Sequence, residues 1–184
     1  LIVLPGGFSY GDYLRTGCIA SKSRIINDVV KHAKKGALIL GICNGFQILI
    51  ETGLLPGVLL RNKKLRFISK TVFLKVTNTN NPFCLNFKKK NLIKLPVANN
   101  EGNYFANNSL LQNLEDEDLI AFKYCNKDGV VDDNSNINGS SNNIAGILNS
   151  KKNILGLMPH PERHIETLLS GEDGSMLFES LIKS

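Results

Sequence analysis

Several features common in proteins are missing from this sequence, and each absence removes a class of function. No apolar run approaches the roughly 20 residues that span a bilayer. The first residues also lack the charged and apolar regions of a secretory signal, so no membrane partner is expected and a cytoplasmic location is the default. The four cysteines, Cys18, Cys43, Cys84 and Cys125, are far apart and make no CxxC pair. That spacing indicates neither a zinc site nor a disulfide framework, and no metal is expected. The net charge is +6, yet the lysines fall in short groups, Lys34-Lys35, Lys63-Lys64, Lys88 to Lys90 and Lys151-Lys152. No aromatic residues are interleaved with them to stack bases, so nucleic acid is not an expected partner. Histidine is scarce, with only His32, His160 and His164. No methionine, cap or turn precedes Leu1-Ile2-Val3-Leu4, which has the pattern of a buried strand. The expectation is a single domain over residues 1–184, truncated at its N-terminus and lacking the first βαβ segment of a doubly wound sheet.

What is present reads as alternating strands and helices, the pattern of an α/β fold with helices on both faces of a mostly parallel sheet. The opening strand runs into Pro5-Gly6-Gly7-Phe8-Ser9-Tyr10-Gly11-Asp12, a glycine-rich loop at a strand C-terminus, where open α/β sheets place ligands. Residues 21–35 carry Ile25, Ile26, Val29, Val30 and Ala33 at helical spacing, with Gly36 as a stop. His32 lies among the lysines of that helix and is expected on the surface. A strand over 37–42 then meets Gly41-Ile42-Cys43-Asn44-Gly45-Phe46-Gln47, followed by a helix over 45–53. A cysteine flanked by small residues at a strand-to-helix turn has the mechanics of a nucleophile elbow. It also lies at a helix N-terminus, where unpaired N–H groups and the helix dipole favour thiolate.

Further on, 65–68 and 71–76 read as extended, 92–98 as a strand, 109–114 as a helix capped by Ser109, and 119–125 as a strand. The asparagine-rich stretch 132–143 reads as a mobile loop. Strands over 144–148 and 154–158 lead to Met158-Pro159-His160-Pro161-Glu162-Arg163. Prolines on both sides fix this histidine, and a carboxylate follows two residues on. A thiol nucleophile needs an imidazole as base and acid, and the imidazole needs a carboxylate to hold its tautomer. Cys43, His160 and Glu162 supply those roles in that order. His164, by contrast, is expected to cap a helix or lie on the surface.

The elbow together with Pro159-His160-Pro161-Glu162 resembles the class I (triad) glutamine amidotransferases. Leu4 to Arg15, Leu54-Leu55-Pro56-Gly57, Glu101-Gly102-Asn103-Tyr104 and Asn138-Gly139-Ser140 resemble the purine-biosynthetic glutaminase subunits of that class. The resemblance implies a flavodoxin-like three-layer sandwich and glutamine hydrolysis through a Cys43 thioester. The ammonia would pass to a synthetase subunit that makes the amidine of formylglycinamide ribonucleotide, with a small accessory subunit in the same complex. It also implies general base and acid work by His160, orientation of His160 by Glu162, and an oxyanion held by N–H groups near Gly6 or Gly7 and at Asn44. Gln47 would help hold the substrate glutamine. No cofactor is expected in this subunit, with ATP and Mg on the synthetase. The chain departs from the family pattern at Asn99 and Asn100, usually histidine and glycine, and at Ile137, where a proline is expected. Two other readings stay open. One is a cysteine hydrolase or deglycase of the protease-like α/β family; the other is a non-catalytic interaction subunit on the same fold.

Overall fold

The strands Ile39–Ile42, Ile144–Leu148 and Ile154–Leu157 are short runs that are apolar at every position and so can be buried on both faces. The computed structural model describes residues 1–12, 15–169 and 171–182. Tyr13 and Leu14 of the glycine-loop motif lie outside the described residues. The strands are β1 (Ile2–Leu4), β2 (Ile39–Ile42), β3 (Val58–Leu60), β4 (Ile68–Val76), β5 (Leu92–Asn99), β6 (Asn103–Phe105), β7 (Ile120–Cys125), β8 (Ile144–Leu148) and β9 (Ile154–Leu157). The α-helices are α1 (Arg24–Lys34), α2 (Asn44–Glu51), α3 (Asn108–Asp116) and α4 (Ser175–Ile182). Seven strands form one sheet in the order β1-β2-β9-β8-β7-β4-β5, and β3 pairs with β6 separately. β1, β2 and β9 run parallel. The pairs from β9 outward to β5 are antiparallel. Every residue of β2, β8 and β9 is buried, which places the core in the middle of the sheet, where parallel pairing gives way to antiparallel.

Three glycines decide how close α2 comes to these strands. Gly41 and Gly156 face each other in register on β2 and β9. A methyl group on Gly41 would lie 2.4 Å from a Leu49 methyl, and one on Gly156 would lie 2.1 Å from the Phe46 ring. Gly45, inside α2, is pressed against β1, where a methyl would lie 2.0 Å from the Leu4 carbonyl oxygen. Side chains at these positions would push the helix, and the residue at its start, off the sheet. Phe46 then stacks on Tyr104 of β6, with ring centroids 6.2 Å apart.

The structure changes several local expectations. The first helix starts at Arg24 because residues 20–22 form a separate 3-10 turn. His32 is exposed on it. The cap of α3 is Asn107, whose side chain accepts from the Leu110 N–H, so Ser109 lies inside the helix. Glu115 and Asp116 also belong to that helix, which runs past its expected end at 114. The stretch 132–143 is held, not loose. Asp132 bonds the Ser135 N–H, Asn143 donates to the Asp132 and Tyr124 carbonyls, and Asn138 and Ser140 are buried. Asparagine side chains satisfy backbone groups here, which compositional bias hides.

Candidate active site

β2 ends at Ile42, and the next residue carries the strain that turns the chain into α2. Cys43 has φ 49 and ψ −104, a conformation non-glycine residues rarely adopt, and occupies the N-cap position. Its N–H donates to the Leu157 carbonyl of β9, so the turn is tied to the neighbouring strand. The side chain is buried, with Sγ 3.8 Å from the Ala98 carbonyl. Asn44 opens α2 directly behind it, where backbone N–H groups of the first turn lack helical partners.

β9 delivers the histidine. His160 is 1% exposed, and its N–H donates to the Pro96 carbonyl of β5 at 2.7 Å. Its Nδ1 lies 2.6 Å from Glu162 Oε1. With Nδ1 donating, Nε2 is the basic nitrogen, and among the described residues it has no hydrogen-bond partner. Glu162 Oε1 also lies 3.5 Å from Arg163 Nε on the outer side.

The glycine loop joins the two. A methyl group on Gly6 would lie 2.7 Å from His160 Cε1 and 3.5 Å from Cys43 Cβ. The backbone at Gly6 therefore fills the space beside both side chains. Gly7 has nothing within 4 Å of where its Cβ would be, and it lines a cavity of about 210 Å³ with Cys43. Phe8, Thr16, Gln47, Arg61 and residues 98–101 complete the lining.

Asn44 and Gln47 meet in this site but use their side chains on the protein. Asn44 accepts from the Ser9 N–H and donates to Gln47 Oε1 at 3.0 Å. Gln47 Nε2 donates to the Glu101 carbonyl at 2.8 Å. Both ends of the Gln47 carboxamide are thus engaged, so it fixes the loop over the cavity while lining its wall.

Sequence reasoning left out what supports that loop. Asn62 accepts from the Gly102 N–H and donates to the Asn99 carbonyl. Asn138 donates to the Gly102 carbonyl at 2.6 Å. Asn99 is buried with neither end of its carboxamide bonded among the described residues. The sequence signals there were the stretches Glu101-Gly102-Asn103-Tyr104 and Asn138-Gly139-Ser140 and the departure at Asn99, while Asn62 carried none. His164 departs from expectation: it is 3% exposed, packed beside Gly171, because the chain folds back from Pro161 to Gly174 over it. Among the described residues no cluster of His, Cys, Asp and Glu is arranged to hold a metal ion. No helix among them is long and apolar enough to cross a membrane.

A strained cysteine at a helix N-terminus and a carboxylate-bonded histidine beside one glycine are the arrangement of a cysteine-dependent acyl-transfer site. The chain is 55% identical over 186 positions to the phosphoribosylformylglycinamidine synthase subunit PurQ of Pelagibacter ubique, covering 100% of this chain and 81% of that protein. It is 51% identical over 181 positions to the subunit of the same name from Bradyrhizobium diazoefficiens, covering 98% of this chain and 78% of the relative. The solved PurLQS structure from Thermotoga maritima superposes with a TM-score of 0.85 at 43% identity, covering 99% of this chain and 78% of that one. Residues 1–172 match the CobB/CobQ-like glutamine amidotransferase domain, and the chain belongs to that family.

Proposed function

We propose that this chain is the glutaminase subunit of a phosphoribosylformylglycinamidine synthase, hydrolysing glutamine to glutamate and ammonia for use by a synthetase subunit. The observation that carries the reading is the strained Cys43 at the α2 N-terminus, flanked with His160 by the same glycine. The relatives' names supply the purine assignment.

In this mechanism the Cys43 thiolate attacks the γ-carboxamide carbon of glutamine, and the carbonyl oxygen becomes an oxyanion. N–H groups at Gly6 or Gly7 and at Asn44 stabilise that charge without reorganising, because the sheet and helix fix them. His160 takes the thiol proton and gives it to the leaving nitrogen, so ammonia departs and a γ-glutamyl thioester remains. It then deprotonates the water that hydrolyses the thioester. Glu162 holds the imidazole with Nε2 facing the reaction and steadies its positive charge. Gln47 shapes the wall against which the substrate lies, and Asn44 holds its carboxamide in place.

The subunit needs no cofactor of its own in this scheme. ATP and Mg belong to the synthetase, which the ammonia reaches within a cytoplasmic complex that includes a small accessory subunit. A diazoketone analogue of glutamine tests the nucleophile. The assembled complex should be labelled at Cys43 and lose labelling and ammonia release in Cys43→Ser. Persistent labelling in that variant would overturn the assignment, and a labelled complex without ammonia release would favour a non-catalytic subunit.

A further inference from the structure

We propose that an acidic surface of the synthetase subunit docks on the exposed basic loop 61–67, and that Asn62 transmits this contact to the Cys43 cavity as a positioning residue, which rests on the glutaminase reading above. Arg61, Lys63, Lys64, Leu65, Arg66 and Phe67 are all exposed, while Asn62 among them is 1% exposed. The run holds four cations and no carboxylate. Among the described residues only Arg61 of the four has an ion-pair partner, Glu101 at 3.7 Å. Surface cations by themselves are ordinarily just solvated, but Leu65 is 71% and Phe67 54% exposed between these. Leu60 and the cross-strand pair Val58 and Phe105 add exposed apolar surface on the β3-β6 ribbon that leads into the loop. Apolar side chains mixed with unpaired cations fit a partner face that is apolar and rimmed by carboxylates. Arg61 also lines the Cys43 cavity, so a subunit seated on the loop reaches the opening beside which ammonia is released.

The one buried residue of the loop grips both the loop and the cavity wall. Asn62 Nδ2 donates to the Arg66 carbonyl at 2.9 Å and to the Asn99 carbonyl at 3.0 Å. Its Oδ1 accepts from the Gly102 N–H at 3.0 Å, and its own N–H donates to the Asn100 carbonyl at 2.9 Å. The same stretch meets the nucleophile and its helix: the Ala98 carbonyl accepts from Cys43 Sγ, and the Glu101 carbonyl accepts from Gln47. A shift of the loop thus passes through a short buried carboxamide to the backbone that faces Cys43. Leu65 holds φ 51, in the left-handed region, with its N–H tied to the Asn62 carbonyl at 2.7 Å, so the loop is a strained turn. A partner that binds one geometry of this turn better than another shifts the cavity wall by that difference in affinity.

Docking and transmission are separable in the full chain and its complex with the synthetase. Lys63→Glu combined with Lys64→Glu should weaken assembly about tenfold or more at low salt and less at high salt, because ions screen the attraction. Iodoacetamide should alkylate Cys43 of that free double variant at the wild-type rate. In wild type, assembly should change the alkylation rate severalfold and slow hydrogen exchange at the 99–102 amides. Asn62→Asp keeps Oδ1 and loses the Nδ2 donor; it should assemble within a few-fold of wild type yet lose most of the change in rate. Assembly indifferent to the loop charges, or 99–102 amides whose exchange ignores assembly, would overturn the proposal. So would an Asn62→Asp chain altered equally when free and assembled, since a merely structural role leaves that ratio alone. Failure of the wild-type complex to hydrolyse glutamine, with assembly still dependent on the loop charges, would instead remove the glutaminase reading beneath it.

Discussion

At the scale of single residues, Gly6 carries more of the site than its size suggests. Its missing side chain leaves room for the His160 ring and the Cys43 side chain at once, and 2.7 Å is closer than a methyl and a ring carbon can approach. Gly6→Ala should turn the imidazole away from its working position while the fold survives, since the contact lies at the end of β1 and outside the core. A misplacement of about 1 Å costs on the order of 100-fold in rate. Glutaminase assay of the complex should show that loss with a thermal midpoint near wild type. Full activity in Gly6→Ala would mean that the His160 ring is not confined there. Glu162 acts on the same ring: its Oε1 lies 2.6 Å from His160 Nδ1 and holds the imidazole in one tautomer, and the same oxygen lies 3.5 Å from Arg163 Nε.

At the scale of elements, the site depends on a loop that asparagines hold down. Residues 98–101 line the cavity, and the backbone groups of Asn99 and Gly102 beside them are bonded by Asn62, Asn138 and Ser140. Asn138 also donates to the Tyr124 hydroxyl at 3.3 Å. Asn138→Ala leaves a buried carbonyl short of a donor and should destabilise the protein by about 1–3 kcal/mol. Because the loop lines the cavity, the KM for glutamine should rise as well. Hydrogen exchange at the amides of 99–103 should accelerate in the variant, and unchanged protection would show that the loop is held by other means. The strand pair β3-β6 braces the same loop through Tyr104, whose hydroxyl donates to the Pro56 carbonyl.

For the whole molecule, burial gives a pH dependence unrelated to the site chemistry. Burial pushes the Cys84 thiol up to about 12 from 9.0 and Cys125 up to about 11, and it also raises Tyr104 and Tyr124. In each case the unfolded chain loses its proton first as pH rises. Stability is therefore full below about pH 9 and is lost progressively as pH climbs toward the folded values. Thermal midpoints should fall between pH 9 and 11, less steeply in Cys84→Ala once its own cavity cost is subtracted at pH 7. Equal slopes in the two proteins would exclude Cys84 as a contributor.

Local chemistry made much of this protein legible. The all-apolar strands, the small-residue elbow at Cys43 and the proline-framed His160 with Glu162 all declare themselves, because backbone conformation there depends on the residue itself and its immediate neighbours. What needed the folded chain were the distant meetings. Gly6 lies beside both Cys43 and His160 only because β1, β2 and β9 are adjacent and parallel. Asn99, Asn138 and His164 look like polar surface residues until non-local backbone covers them. The sequence alone determined which groups could react. Tertiary structure decided which of them share a cavity and which are spent on holding it shut, since burial and hydrogen bonding between residues far apart in the chain leave no local trace.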